Sequence, residues 1–200
     1  MKSLPIKNTS LTLEETNLIL KARFTITRLD KIRDIFLFSC FTGLSYNDIK
    51  NLTINNLVIT PDGKYWLKIY VQKSNTPIKI PLLDISRTII EKYRNSSNET
   101  GSLLPVPSIQ KTNYYLKEVG KECKLEKHLT FNFARHTFIC TIIMGNDLET
   151  SIVNKLIGRK VQGNSKITDF QLYKAMKTVS DAVREPYASP YAQSRYWWRR

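Results

Sequence analysis

A chain of 200 residues, 42% apolar and with ten tyrosines, can bury a sizeable core as one domain or two small ones, which excludes a disordered chain. Its net charge of +14, from 31 Lys and Arg against 17 Asp and Glu, attracts a polyanion, either nucleic acid or an anionic membrane surface. No apolar run reaches the ~18 residues of a membrane span, and there is no signal-peptide region, long amphipathic anchor or lipidation motif, so the expectation is a cytoplasmic protein that binds nucleic acid and no membrane.

Met1 to Ser10 reads as a linker or arm. Thr12 to Glu15 has the Thr-x-x-Glu form of a capping box and starts a helix. Ile32, Ile35, Phe36 and Phe38 lie on one face of a second helix, Leu29 to Phe41. Gly43 can end it in a left-handed conformation. Ser45, with Asp48 three residues on, can cap a short helix through Leu52. Asp62-Gly63 between Val58-Ile59 and Trp66-Leu67-Ile69-Tyr70-Val71 signals a hairpin. A second turn at Asn75-Thr76-Pro77 leads into Ile78-Lys79-Ile80, completing a three-stranded antiparallel meander with Lys73 at the second bend.

Beyond the meander the expected helices are Ser86–Arg94, Ser108–Lys121, Asn132–Met144, Leu148–Leu156 and Ile167–Val183. Asn95 to Pro107, rich in Ser, Asn, Gly and Pro, reads as a loop. The class is therefore α+β and mainly α-helical. One domain spans residues 11–183. The 184–200 tail carries Pro190 and the Trp197-Trp198 pair, and reads either as an arm that docks on a neighbouring protomer or as disorder. Cys40, Cys123 and Cys140 lack metal-ligand spacing and read as buried reduced thiols. His128 and His136 form no metal pattern, so no metal is expected.

Five segments carry chemistry. Leu129-Thr-Phe-Asn-Phe-Ala-Arg-His-Thr-Phe138 resembles the second catalytic box of the tyrosine recombinases, His-x-x-Arg-His-Thr. Arg135, His136, Thr137 and Phe138 match it, and Asn132 stands in place of the first His. Phe41 to Leu52 is similar to the first box, with Ser45 at the position of the first catalytic Arg. Val71 to Leu82 resembles the hairpin that presents a catalytic Lys, here Lys73. Leu156-Ile-Gly-Arg159 resembles the Leu-Gly-His box, with Arg159 in the His or Trp position. Ile167 to Tyr173 looks like the final helix, with Tyr173 as nucleophile. The Gly158-to-Tyr173 spacing is a few residues longer than the family's, an insertion assigned to Gln162–Lys166. These segments occur in the family's order, and the resemblance covers the chain from about Leu11 to Met176.

The resemblance implies site-specific cutting and rejoining of double-stranded DNA through a 3′-phosphotyrosine link. That link conserves the bond energy, so no cofactor is implied. Arg135, with Arg159 in place of the missing cation, would bind the nonbridging oxygens, where negative charge grows in the transition state. Lys73 would protonate the departing 5′-oxygen, and His136 would hold the loop that carries Tyr173. Some recombinases of Bacteroides-type mobile elements resemble this chain in having Ser or Ala at the first Arg position. The resemblance implies a tetramer on paired DNA sites, and without the family's core-binding domain the chain is expected to be a monomer alone. The family's core-binding domain has no counterpart in these 200 residues, which reads as a fragment or a shortened protein.

Plainer readings stand beside these. Tyr173 taken alone is an ordinary amphipathic-helix tyrosine, Lys73 a turn lysine and His136 a satisfied structural group. Lys50, Lys68, Lys79 and Lys160 are either solvated charges or contacts to DNA phosphates. Arg135, set among Phe133, Ala134, Phe138 and Ile139, must be paired or functional. The competing functions are a catalytically degenerate DNA-binding remnant or regulator of a mobile element, and a helical interaction protein with an acidic partner.

Overall fold

The computed structural model describes residues 9–71, 76–143, 148–159 and 167–184. It opens with helix α1 (Leu13–Lys21), whose Thr12 hydroxyl accepts from the Glu15 N–H while the Glu15 carboxylate accepts from the Thr12 N–H. Helix α2 (Thr27–Thr42) is buried on nearly every side from Leu29 onward. Such a helix must lie at the centre of a domain, and α1, α4, α5, α6 and the segment that follows α6 pack against it. Gly43 ends it at φ +71°, with its N–H on the Ser39 carbonyl. Helix α3 (Tyr46–Lys50) follows from Ser45.

The meander consists of β1 (Leu57–Ile59), β2 (Tyr65–Val71) and β3 (Thr76–Pro81) in the order β1-β2-β3, antiparallel throughout. Gly63, at φ +75°, makes the first turn. Thr76 and Pro77 already pair with Val71 and Tyr70, so the turn expected at Asn75–Pro77 does not include these two residues. β3 is an edge strand, which tolerates a proline that lacks a ladder donor. Facing pairs show which side is the core. Leu67↔Ile80 and Ile69↔Ile78 are buried, while Lys68↔Lys79 and Tyr70↔Pro77 point outward. On that outer face Trp66, opposite Pro81, is nevertheless covered.

Helix α4 (Asp84–Thr100) runs past the expected end at Arg94, so the loop read from Asn95 begins only at Gly101, at φ +70°. Adding residues to a nucleated helix costs little, which lets a Ser- and Asn-rich stretch continue it. Ile89, Ile90 and Tyr93 provide its buried face. A charged cluster ties it to α2. Asp34 accepts from Tyr93 and Lys92, and Arg33 pairs with Asp34 and Asp30 while donating to the Ala22 carbonyl. Helix α5 (Ile109–Glu122) is capped by Ser108. Helix α6 (Phe131–Thr137) passes into a π-helical segment, Phe138–Ile143, instead of continuing as one α-helix. Helices α7 (Thr150–Leu156) and α8 (Asp169–Arg184) pack on β3. The eight α-helices and one small sheet of the described residues form the expected mainly helical α+β domain. Cys40 and Cys123 are buried, whereas Cys140 is only half-buried.

Candidate active site

Arg135 leaves the apolar face of α6 half-buried. One Nη donates to the Gly43 carbonyl and the other to the Ile157 carbonyl, each at 3.0 Å. These carbonyls sit at the C-terminal ends of α2 and α7, where unpaired backbone oxygens concentrate negative potential. Burial pulls the guanidinium below its usual pKa. The Asp48 carboxylate opposes that pull and the like charge of Arg159 adds to it. A guanidinium offers five N–H donors, so the two carbonyls hold the group without exhausting it.

Two glycines make this convergence possible. A Cβ on Gly43 would lie 2.3 Å from Phe138 Cδ1, and one on Gly158 would lie 2.7 Å from Val71 Cγ2. The second contact seats the α7 turn, and Arg159 just beyond it, against the C-terminal end of β2. Arg159 is exposed. Ser45 occupies the loop beside Gly43, but its hydroxyl donates to Asp48 Oδ2 at 2.5 Å and accepts from the Asp48 N–H at 3.3 Å. It therefore serves the start of α3. Asp48 is buried and faces Arg135 electrostatically. The sequence showed it only as a cap partner, because the i, i+3 spacing of a capping box also places a carboxylate under the loop.

Tyr173 lies elsewhere. Its ring is 6.4 Å from the Trp66 ring, and the Lys64 ammonium sits 3.9 Å from its centroid. Lys64 itself pairs with Asp62 in the β1–β2 turn, which raises its pKa. Helix α8 is set by Thr168, whose hydroxyl and N–H engage Gln171, and by the ion pair of Asp169 with Lys79 at 2.6 Å. Gly158 meets β2 at Val71, whereas Tyr173 meets it at Trp66, five residues or about 17 Å of extended strand away. The structure thus groups Arg135, Arg159, Asp48 and the Ser45 loop, and places Tyr173 toward the other end of β2. Nothing in residue spacing pointed to Lys64 and Trp66 as its neighbours.

The remaining expected site residues are scattered. Asn132 and His136 are exposed on α6 and take no side-chain hydrogen bond among the described residues. Lys50 covers the Tyr46 ring at 5.9 Å, Lys68 is exposed on the outer sheet face, and Lys79 holds Asp169. Lys73 and Lys160 lie outside the described residues. Among those residues no group of His, Cys, Asp or Glu could hold a metal ion, and no helix is long and apolar enough to cross a membrane.

The architecture is the tyrosine recombinase catalytic-domain fold. It is similar to an integrase from mycobacterium phage Brujita, at TM-score 0.64 and 15% identity over 94% of this chain and 65% of that one. It is likewise similar to XerH site-specific recombinase bound to difH substrate in a pre-cleavage complex, at 0.58 and 14% over 96% and 53%. A lambda integrase dimer bound to a COC' core site matches at 0.58 and 16% over 88% and 61%. The chain thus spans between about half and two-thirds of these structures' lengths. No protein-family model and no curated protein matches the sequence.

Proposed function

We propose that this domain performs site-specific recombination of double-stranded DNA, with the Arg135 site holding the scissile phosphodiester. The carrying observation is the anchoring of Arg135 by two helix-end carbonyls, with Arg159 adding a second positive charge beside it. A rigid guanidinium with donors to spare suits a trigonal-bipyramidal phosphorane, and preorganised cations stabilise its growing charge. In the step proposed, the Tyr173 hydroxyl gives its proton to water as its oxygen bonds to phosphorus, and the bond to the 5′-oxygen breaks. Lys73 supplies the proton to that oxygen. Rejoining reverses these events without a cofactor. Lys50, Lys68, Lys79 and Lys160 are proposed to meet backbone phosphates, and four copies to assemble on paired sites from monomers.

Because a fold hosts many functions, the test is chemical. The protein is incubated with a pool of nicked duplexes of randomised sequence, in which the cleaved end cannot religate, and covalent protein–DNA adducts are isolated. An adduct lost in Tyr173→Phe supports the enzyme. A second reading, DNA binding without cleavage, is favoured by the packing of Tyr173 on Trp66 and the commitment of Ser45 to Asp48. It predicts salt-sensitive binding that Tyr173→Phe leaves unchanged, and no adduct.

A further inference from the structure

We infer that Thr137 is a positioning residue for Arg135: its hydroxyl ties the end of α6 to the backbone at Leu11, and the aim of the guanidinium depends on that tie. This deepens the reading of Arg135 as the group that holds the phosphate, and rests on it. Three observations support it.

First, one buried hydroxyl makes both bonds of the tie. The Leu11 N–H donates to Thr137 Oγ1 at 2.9 Å, and that hydroxyl donates to the Phe133 carbonyl at 2.8 Å. Thr137 and Leu11 are both buried, where a hydrogen bond is stronger than in water. Second, α6 needs outside support. Its seven residues fall short of the roughly 12–15 that hold a helix together unaided. Asn113 Oδ1 accepts from the Phe131 N–H at its start, and Leu11 holds its end. Positions 135 and 137 lie about 200° apart around a helix, so the tie grips α6 from the side opposite the guanidinium. A hydroxyl bonded back to the carbonyl four residues earlier also bends a helix. Here the α-helix gives way to the π-helical segment at Phe138, directly after Thr137. Arg135 and Phe138, on either side of the tie, both meet the end of α2. One donates to the Gly43 carbonyl, and the other fills the space of a Gly43 Cβ. Third, the far side of the tie is fixed to other parts of the chain. Lys127 Nζ donates to the Ser10 carbonyl at 3.0 Å and to Glu15 at 2.6 Å, and Glu15 closes the capping box of α1. Residues 10 and 11 thus give α6 a support that is anchored independently of α6.

The test uses the whole chain with isotopically labelled arginine and the same nicked duplex pool. Thr137→Val keeps the branched shape and removes the hydroxyl, Thr137→Ser keeps the hydroxyl, and Lys127→Met frees the Ser10 carbonyl. Urea melts confirm that each variant folds, and the Arg135 guanidinium resonance is assigned by its loss in Arg135→Met. In Thr137→Val that resonance should shift. Single-turnover adduct formation at saturating DNA should slow about ten- to hundredfold, while the DNA dissociation constant changes less than about twofold. Thr137→Ser should return both the resonance and the rate, and Lys127→Met should change both in the direction of Thr137→Val by less. If adducts form and are lost in Tyr173→Phe, yet Thr137→Val is as fast as the unsubstituted chain or leaves the resonance unmoved, the positioning role is overturned while the recombinase reading stands. A rate loss that Thr137→Ser shares in full also overturns it, because the hydroxyl is then not the cause. Should Thr137→Val fail to fold, Lys127→Met decides in its place by the same two readouts. No adduct from the unsubstituted chain overturns both readings.

Discussion

Replacing Gly43 by alanine should be the most damaging glycine-to-alanine change among the described residues. Two costs act together. At φ +71° an L-residue pays roughly 1–2 kcal/mol for the left-handed conformation. Its Cβ would also stand 2.3 and 2.6 Å from two atoms of the Phe138 ring, and relieving that overlap in a packed core costs about 1–3 kcal/mol more. The sum is about 2–5 kcal/mol, a large fraction of the roughly 5–15 kcal/mol that holds a domain folded. Gly63 is the internal control. It has φ +75° but nothing within 4 Å of its would-be Cβ, so Gly63→Ala should cost only the backbone part. Urea denaturation of both variants separates the terms, and a double-mutant cycle of Gly43→Ala with Phe138→Leu should recover about 1–3 kcal/mol as coupling. If Gly43→Ala and Gly63→Ala agree within about 0.5 kcal/mol, the close approach of the α2 end to Phe138 is wrong. The placement of the Gly43 carbonyl on Arg135 would then lose its support.

Further outcomes follow from the same contacts. Arg135→Met should slow adduct formation by about 10²–10³ while changing equilibrium DNA affinity far less, measured by single-turnover assay beside filter binding. Asp34→Asn removes the negative charge, and one of the two oxygens, that accept from Arg33, Lys92 and Tyr93, and should destabilise by about 3–5 kcal/mol in urea, whereas loss of the exposed Arg87–Glu91 pair should register under about 1 kcal/mol. Burial pushes the Cys123 thiol up to about 11 from 9.0. The unfolded chain therefore releases this proton first as pH rises. The stabilisation from keeping it is whole below about pH 9 and is lost toward 11. Cys123→Ala should flatten the fall in stability across that window, and an unchanged slope would refute the burial argument. With thiol reagents at pH 8, half-buried Cys140 should react before Cys123, and fully buried Cys40 last.

Local signals in the sequence determined the elements. Thr12–Glu15 and Ser45–Asp48 start helices because their side chains reach backbone groups three residues away. Gly43 and Gly63 turn the chain because glycine, lacking a Cβ, accepts positive φ, and the change from helical to alternating periodicity marks the meander. The apolar neighbours of Arg135 even showed that it needed partners. The end of α4 was misread because helix propagation past Arg94 depends on a helix already anchored to α2, not on the Ser and Asn residues themselves. The site was decided by tertiary structure. The acceptors of Arg135 are main-chain carbonyls 92 and 22 positions away, and every residue has such a carbonyl, so no residue type announces them. Tyr173 rests on Trp66 because α8 packs along β3. That is a matter of how two layers meet, and periodicity within either one carries no record of it.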